Sequence, residues 1–340
     1  MDTIRREAGP ARGLGSFDVL VCGGGLSGWA AAVMLGREGR QVLLAAERTA
    51  LGREVWAALS LWLSEAPDAR PGLLRELLDG LAVVDAVAGA TLDPVATEVV
   101  LDRMADEAGV RLLFQVRCHP DGEQWLVAGK WGLMAACAGV IVDATPEGLG
   151  AAEAGGAVVP RGTGELPIRR ALIINAECDA PISLSVPRAL PISDGRVTAR
   201  PGRWRGDAII EARLDLDAED PSVLEIESRR ALTEVAAYLR AQQPGFAASS
   251  LVQVAHDAVM PRSYVIAAGT SGEGDLTLAT DDGPVRVRDG ALLPEATQRL
   301  LLASPAADLG AVTGEECCRP ENAIRIGETA ARLAASMLEG

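Results

Sequence analysis

Four residues near the start of the chain have the types and spacing for one kind of chemistry: Gly23, Gly25, Gly28 and, 19 positions beyond Gly28, Glu47. In Gly23-Gly-Gly25-Leu-Ser-Gly28 the first glycine permits a tight turn out of a strand. The second removes the Cβ where backbone approaches a diphosphate, and the third lets a helix pack closely on a sheet. Leu26, Ser27 and Gly28 open that helix, so their free N–H groups and the positive end of its dipole face the anion. A carboxylate at Glu47 is placed to accept hydrogen bonds from both hydroxyls of a ribose. The pattern predicts a dinucleotide site. A glycine-rich turn alone carries the same letters, so the flanking elements decide.

Those elements agree. Phe17 to Cys22 is a short apolar run, Trp29 to Leu35 is strong helix-forming material closed by Gly39, and Gln41 to Ala46 is a second buried strand ending at Glu47. Strand, glycine turn, helix, strand and acid follow in the required order. Further on, Asp93-Pro94 reads as the N-cap and first residue of a helix ended by Gly109. Val110 to Val116 follows as a strand, Gly129-Lys130 as a hairpin turn, and Val140 to Asp143 as another buried strand. His119, beside Pro120, reads as a loop residue. From about residue 150 to 269 the pattern changes to strands plus one amphipathic helix near Ser222 to Leu239. The chain ends in a helix from about Pro320, with Ile326, Ala330, Leu333, Ala334 and Met337 on one face. The fold class is α/β.

Composition removes several function classes. A net charge of −15 leaves no concentrated positive surface for a phosphate backbone, so no nucleic-acid partner is expected. Lys130, the only lysine, falls in the hairpin turn, which leaves lysine-based covalent chemistry a single poor candidate. Two histidines (His119 and His256) and six cysteines without a CxxC pair argue against a metal site. No apolar run reaches the ~20 residues of a membrane span. The charged, glycine-rich start has no apolar signal region. These features predict a cytoplasmic protein with a small-molecule substrate, a homo-oligomer or partner protein being left open.

The ordered motifs resemble those of the FAD-dependent oxidoreductase family, in its glutathione-reductase-like structural class. Phe17 to Arg48 is similar to the FAD fingerprint, and Leu92 to Arg117 to the helix and strand before the adenine-contacting loop. Ala138 to Gly156 is similar to the strand ending in Asp-Ala-Thr-Gly, Met260 to Gly269 to the strand returning from the substrate domain, and Arg319 to Ser336 to the flavin-capping helix. The resemblance implies FAD as cofactor. It also implies a Rossmann-like FAD-binding domain with an inserted β-rich substrate domain. The boundaries are 1–16 as a flexible tail, 17–150 with 270–340 as a discontinuous FAD domain, and 151–269 as the substrate domain. By resemblance Arg48, Arg53, Val116 and Ala144 join the glycine turn and Glu47 at the cofactor. Glu321, Asn322 and Ala323 would start the capping helix beside the isoalloxazine, with Gly327 allowing close packing. Three departures stand at the ring end: Gly52-Arg53 replaces a Gly-Gly pair, and Pro146 and Ser304 replace glycines.

For the reaction itself, Arg53 and Arg262 are candidates to hold an anion, and His256 a candidate base oriented by Asp257. Trp56 and Trp62, flanking a strand-like stretch, read as core more readily than as a stacking platform. Cys317-Cys318 read as two small, partly buried residues rather than a dithiol exchanging electrons with flavin. No second GxGxxG lies between a strand and a helix, so no built-in NAD(P)H domain is expected. The resemblance implies hydride transfer from a small organic substrate to flavin. The alternatives are flavin-dependent monooxygenation, a simple NAD-dependent dehydrogenase, or a degenerate flavoprotein acting as a subunit beside a partner.

Overall fold

The computed structural model describes residues 12–64, 72–161, 168–216, 220–260, 263–269, 275–295, 297 and 299–340. β1 (Arg12–Cys22), whose last four residues are buried, passes through the glycine turn into α1 (Leu26–Arg37). β2 (Val42–Ala46) follows, buried at every position and parallel to β1. Burial on both faces is what helices on either side of a parallel sheet impose. Next come α2 (Arg53–Trp56), α3 (Leu73–Val83), a small ladder of β3 (Val87–Ala88) with β4 (Thr91–Leu92), and α4 (Pro94–Glu107). The Asp93 side chain caps α4, accepting from the N–H of Val95 at 2.9 Å and of Ala96 at 2.8 Å.

β5 (Arg111–Phe114) pairs in parallel with β2, and β6 (Arg117–Asp121), β7 (Gln124–Gly129) and β8 (Gly132–Asp143) form an antiparallel meander. The sheet order is β5-β2-β1-β8-β7-β6. Three local expectations change. β1 begins at Arg12, inside the stretch read as tail, because the long β8 offers a partner as far as Met134, with an irregularity at Gly13/Gly15 absorbed by Gly15 at φ +111°. The segments read as a hairpin arm and a separate strand are one strand, β8. His119 lies on β6, its ring 3.0 Å from Glu153, because the β6–β7 pairing extends to Asp121.

After α5 (Leu149–Glu153) and β9 (Val158–Pro160), a second sheet forms from β10 (Ile168–Asn175), β11 (Ile182–Ser185), β12 (Arg196–Pro201) and β13 (Asp207–Leu214). α6 (Pro221–Gln242) crosses it, and β14 (Ser250–Val254) completes the order β11-β12-β13-β10-β14. Alternation sorts its faces. Ile168, Leu172 and Ile174 of β10, Val197 and Ala199 of β12, and Ile210, Ala212 and Leu214 of β13 build a core with Leu232 and Val235 of α6. Arg169, Arg196, Thr198, Arg200, Glu211 and Arg213 occupy the other face. Arg170 is the exception, a cation buried on the α6 side. It donates to Glu225 Oε2 at 2.7 Å, Ser228 Oγ at 2.7 Å and the His256 carbonyl at 3.0 Å, and also to the Ala255 carbonyl.

β15 (Tyr264–Ile266) pairs with β9, and β16 (Asp275–Thr280) with β17 (Gly283–Arg288). β18 (Leu300–Leu302) then returns to lie parallel to the end of β8, and α7 (Gly314–Cys317) leads into α8 (Pro320–Glu339). α8 packs across α1 at Gly327, where a Cβ would lie 2.1 Å from the Ser27 carbonyl oxygen. Both ends of the chain therefore build the first sheet and its helices. Among the described residues no helix is long and apolar enough to cross a membrane.

Candidate functional site

The C-terminal ends of β1, β2 and β8 open onto one groove, the place where open α/β sheets take ligands. Gly23 sits at φ +115°, in the left-handed region, and a Cβ there would lie 2.4 Å from the Ala144 carbonyl oxygen. At Gly28 a Cβ would lie 2.0 Å from the Gly23 carbonyl oxygen, so α1 could not pack against the turn. Gly25 is different. Its φ of −68° and ψ of 174° suit any residue. What its missing Cβ leaves room for is Glu54, whose Oε1 lies 2.5 Å from that point. Glu54 Oε2 accepts the buried Leu26 N–H at 2.9 Å, so the start of α1 is capped by a carboxylate 28 residues away. No local sequence signal marks this residue.

Around the turn, Ser27 donates its hydroxyl to the Ala303 carbonyl at 2.7 Å, joining α1 to the end of β18. Glu47 stands at the groove rim directly after β2, 3.3 Å from Arg117 Nε. Val116 is buried and its N–H bonds the Ala46 carbonyl at 3.1 Å, while Ala144 lines the groove floor. Arg48 and Arg53 converge on the buried Asp257, with Nη2–carboxylate distances of 2.9 Å and 3.0 Å. Burial alone would lower the pKa of Arg53, but the charges of Glu54 and Asp257 outweigh it and raise it. Asp143, at the end of β8, is fully buried, and desolvation raises its pKa. Hydrogen bonds from Thr145 and the Ala151 N–H at 2.8 Å only partly oppose that rise.

The groove at the glycine turn shares Arg48, Arg53, Pro146 and Glu147 with a wider cavity of about 1180 Å³. That cavity extends past Asp257, Met260 and Tyr264 to Pro305, Gly314 and Cys318. On the far side of Ala58, Val259 and Cys318, which touch one another, lies a second cavity of about 410 Å³. It is lined by the polar face of the second sheet, Trp62, and Arg319 and Pro320 at the start of α8.

The remaining site candidates take these places. Asn322 is fully buried, and its amide is committed to the Ala279 N–H and carbonyl and the Glu316 carbonyl, at 2.7–2.8 Å. Ala323 is buried in the core. Glu321 Oε1 accepts the Ser64 N–H at 3.0 Å and the Ser64 hydroxyl, whereas its buried Oε2 has no partner among the described residues. His256 faces Trp56 with ring centroids 6.1 Å apart, and the Asp257 carboxylate serves the two arginines rather than the imidazole. The stretch between Trp56 and Trp62 is not a strand: Leu59 takes φ +51°, and the only pairing is an isolated bridge from Trp62 to Thr91. Arg262 lies outside the described residues. Cys317 and Cys318 are buried, and desolvation raises the Cys317 pKa well above its ordinary value, which keeps the thiol protonated.

A flavin dinucleotide suits this arrangement. Two arginines and a glycine turn without side chains border the groove, an acid stands at the end of β2, and a cavity continues from the same residues toward the start of α8. Residues 18–164 match the family model of the FAD dependent oxidoreductases. No curated protein matches the chain by sequence. Among solved structures, a geranylgeranyl bacteriochlorophyll reductase-like protein from Thermoplasma acidophilum superposes with a TM-score of 0.56 at 16% identity, covering 95% of this chain and 79% of that one. The flavin-dependent brominase Bmp2 gives 0.61 at 13% identity, with 96% and 80% covered. p-Nitrophenol 4-monooxygenase PnpA from Pseudomonas putida gives 0.57 at 14%, with 96% and 80% covered. At these identities the likeness concerns the fold.

Proposed function

We propose that this chain, whose residues 18–164 match the FAD dependent oxidoreductase model, is an FAD-dependent oxidoreductase that oxidises a small organic substrate presented to the ring end of the cofactor near the start of α8. The observation that carries the reading is the continuity of the glycine-turn groove with the wide cavity through Arg48, Arg53, Pro146 and Glu147. When bound, the flavin supplies the two-electron acceptor. The protein's own residues then have separate tasks. The Gly23–Gly24 part of the turn offers the diphosphate a backbone approach, and Arg48 and Arg53, which pair with Asp257, are the cations it meets. Glu47 accepts from the ribose hydroxyls. Met260, Tyr264, Pro305 and Cys318 exclude water at the far end of the cavity. In this reading residues 17–150 and 270–340 hold the cofactor and 151–269 face the substrate, and molecular oxygen or a partner protein removes the electrons afterwards.

A second reading, flavin monooxygenation, is favoured by the shared fold with p-nitrophenol 4-monooxygenase and the brominase. The two separate in one experiment on the purified protein, whose visible spectrum should carry flavin, with FAD identified by mass after release. Under anaerobic conditions an oxidisable substrate should bleach that spectrum without added nicotinamide. Bleaching that needs NAD(P)H, with substrate accelerating its consumption in air, would select the monooxygenase. A protein that binds no FAD at all would overturn both.

A further inference from the structure

The second cavity carries its own chemistry. Five arginines line it: Arg169, Arg196, Arg200, Arg213 and Arg319. Four carboxylates stand among them. Glu211 bridges Arg169 at 3.0 Å and Arg200 at 2.9 Å, Asp281 bridges Arg213 at 2.8 Å and Arg319, and Glu315 stands 3.2 Å from Arg213. Asp194 is the fourth, and its carboxylate accepts the Arg196 backbone N–H at 3.0 Å. Among the described residues the Arg196 guanidinium bonds only serine oxygens, Ser183 Oγ at 2.8 Å among them. The lining thus holds one more positive than negative charge, within a chain of net charge −15. The 20-residue α8 begins there at Pro320, adding the positive end of its dipole. Trp62 forms part of the wall with the Arg200 guanidinium 5.3 Å from its ring centroid.

A structural ion-pair network would close on itself and fill its volume. This one surrounds about 410 Å³ of space, within the ~300–1,000 Å³ typical of small-molecule sites. The two cavities also stand back to back. Ile168, Leu214, Gly314 and Cys318 line the wide cavity, and their chain neighbours Arg169, Arg213, Glu315 and Arg319 line this one. One residue's thickness separates the arginines from the end of the cofactor channel.

We infer that this cavity is the anchoring site for the substrate and that the substrate is an organic monocarboxylate, held by the guanidinium forks with its carbon skeleton against Trp62. Guanidinium forks bind carboxylates in bidentate geometry, and Arg196 is the fork whose bonds go to serine oxygens and not to a carboxylate. The assignment of a substrate rests on the oxidoreductase reading above; the anion site itself does not.

The test titrates the purified, FAD-containing protein with benzoate and with its neutral isostere benzamide, following tryptophan fluorescence and melting temperature. Benzoate should saturate both signals, and benzamide at equal concentration should not. Arg196→Ala should weaken benzoate at least tenfold, while Arg240→Ala, on the exposed face of α6, should leave it unchanged. Trp62→Phe should remove the ligand-dependent fluorescence change and keep the melting shift. Equal response to the two probes, an unaffected Arg196→Ala, or a full fluorescence change without Trp62 would overturn the site. Flavin absorbance in the same samples separates the two conclusions. Bound FAD with no benzoate response refutes this site alone, and Arg196-dependent benzoate binding without FAD refutes only the oxidoreductase reading.

Discussion

The pairing of Gly25 with Glu54 makes a quantitative prediction. The Gly25 backbone would accept alanine, but the added Cβ would lie 2.5 Å from Glu54 Oε1. That atom ends a side chain and can swing away, so the steric cost is small. The consequence is loss of the bond from the Leu26 N–H to Glu54 Oε2, 2.9 Å long and buried. A hydrogen bond to a charged group in such a place contributes about 1.5–3 kcal/mol. Its position at the first turn of α1 adds about 0.3–1 kcal/mol. Gly25→Ala should therefore destabilise the FAD-free protein by about 2–4 kcal/mol, and Glu54→Ala, which removes the same acceptor directly, by about as much.

The double variant should cost little more than either single one, because the bond is lost once, leaving a coupling of about 2 kcal/mol in the cycle. The assay is urea denaturation followed by tryptophan fluorescence, comparing midpoints at a common slope. Gly28→Ala is the contrast, since its Cβ meets the Gly23 carbonyl at 2.0 Å and no second substitution of Glu54 should relieve it. If Gly25→Ala costs as much with Glu54→Ala as without it, to within ~0.5 kcal/mol, the carboxylate does not occupy that space and the reasoning fails.

Three further outcomes are expected. Glu47→Ala should weaken FAD binding by about 1–3 kcal/mol in a titration of the FAD-free protein, and unchanged affinity would remove Glu47 from the ribose. Arg170→Ala should destabilise by about 3–5 kcal/mol in denaturant titration, because it strands Glu225 and releases the strap carrying Asp257. Burial pushes the Asp281 pKa up, but the bonds from Arg213 and Arg319 outweigh it and hold it below the ordinary value. A depressed carboxyl stabilises the fold above its unfolded pKa, and that contribution disappears as pH falls through the folded one. Asp281→Asn should thus lower the melting temperature at neutral pH and match wild type well below about pH 4; a difference that persists in acid would refute the linkage.

The first sheet was legible because its signals are local. The turn at Gly23, the capped start of α4 at Asp93-Pro94 and the apolar face of α8 each lie within one element, where a short pattern determines the outcome. Long-range features were not. β1 reaches back to Arg12 only because β8, more than a hundred residues later, is long enough to receive it. The arginines of the second cavity did carry a signal, Arg196-x-Thr198-x-Arg200 at strand period on a sheet whose other face is apolar. The pattern alone does not mark a cavity, because nothing in the sequence shows that Trp62 and the start of α8 face it.

Gly25 shows most sharply where such reading stops. A glycine reports that a Cβ is not tolerated, and the dinucleotide pattern supplies a ready occupant for the space, a diphosphate. The structure puts an internal carboxylate there, and beside it a second one, Asp257, already holds Arg48 and Arg53. Arg48 and Arg53 share this end of the groove with Glu54, Asp257 and Glu147, so it holds no surplus positive charge before any ligand arrives. An incoming diphosphate must then draw the guanidinium groups from Asp257 or share them with it. Asp257 belongs to the strap that Arg170 ties to α6 through the neighbouring Ala255 and His256 carbonyls. The arginines of the groove and the packing of the second sheet are thus joined through Asp257, a link that no motif could disclose because Arg48 and Arg53 lie 209 and 204 residues before it in sequence.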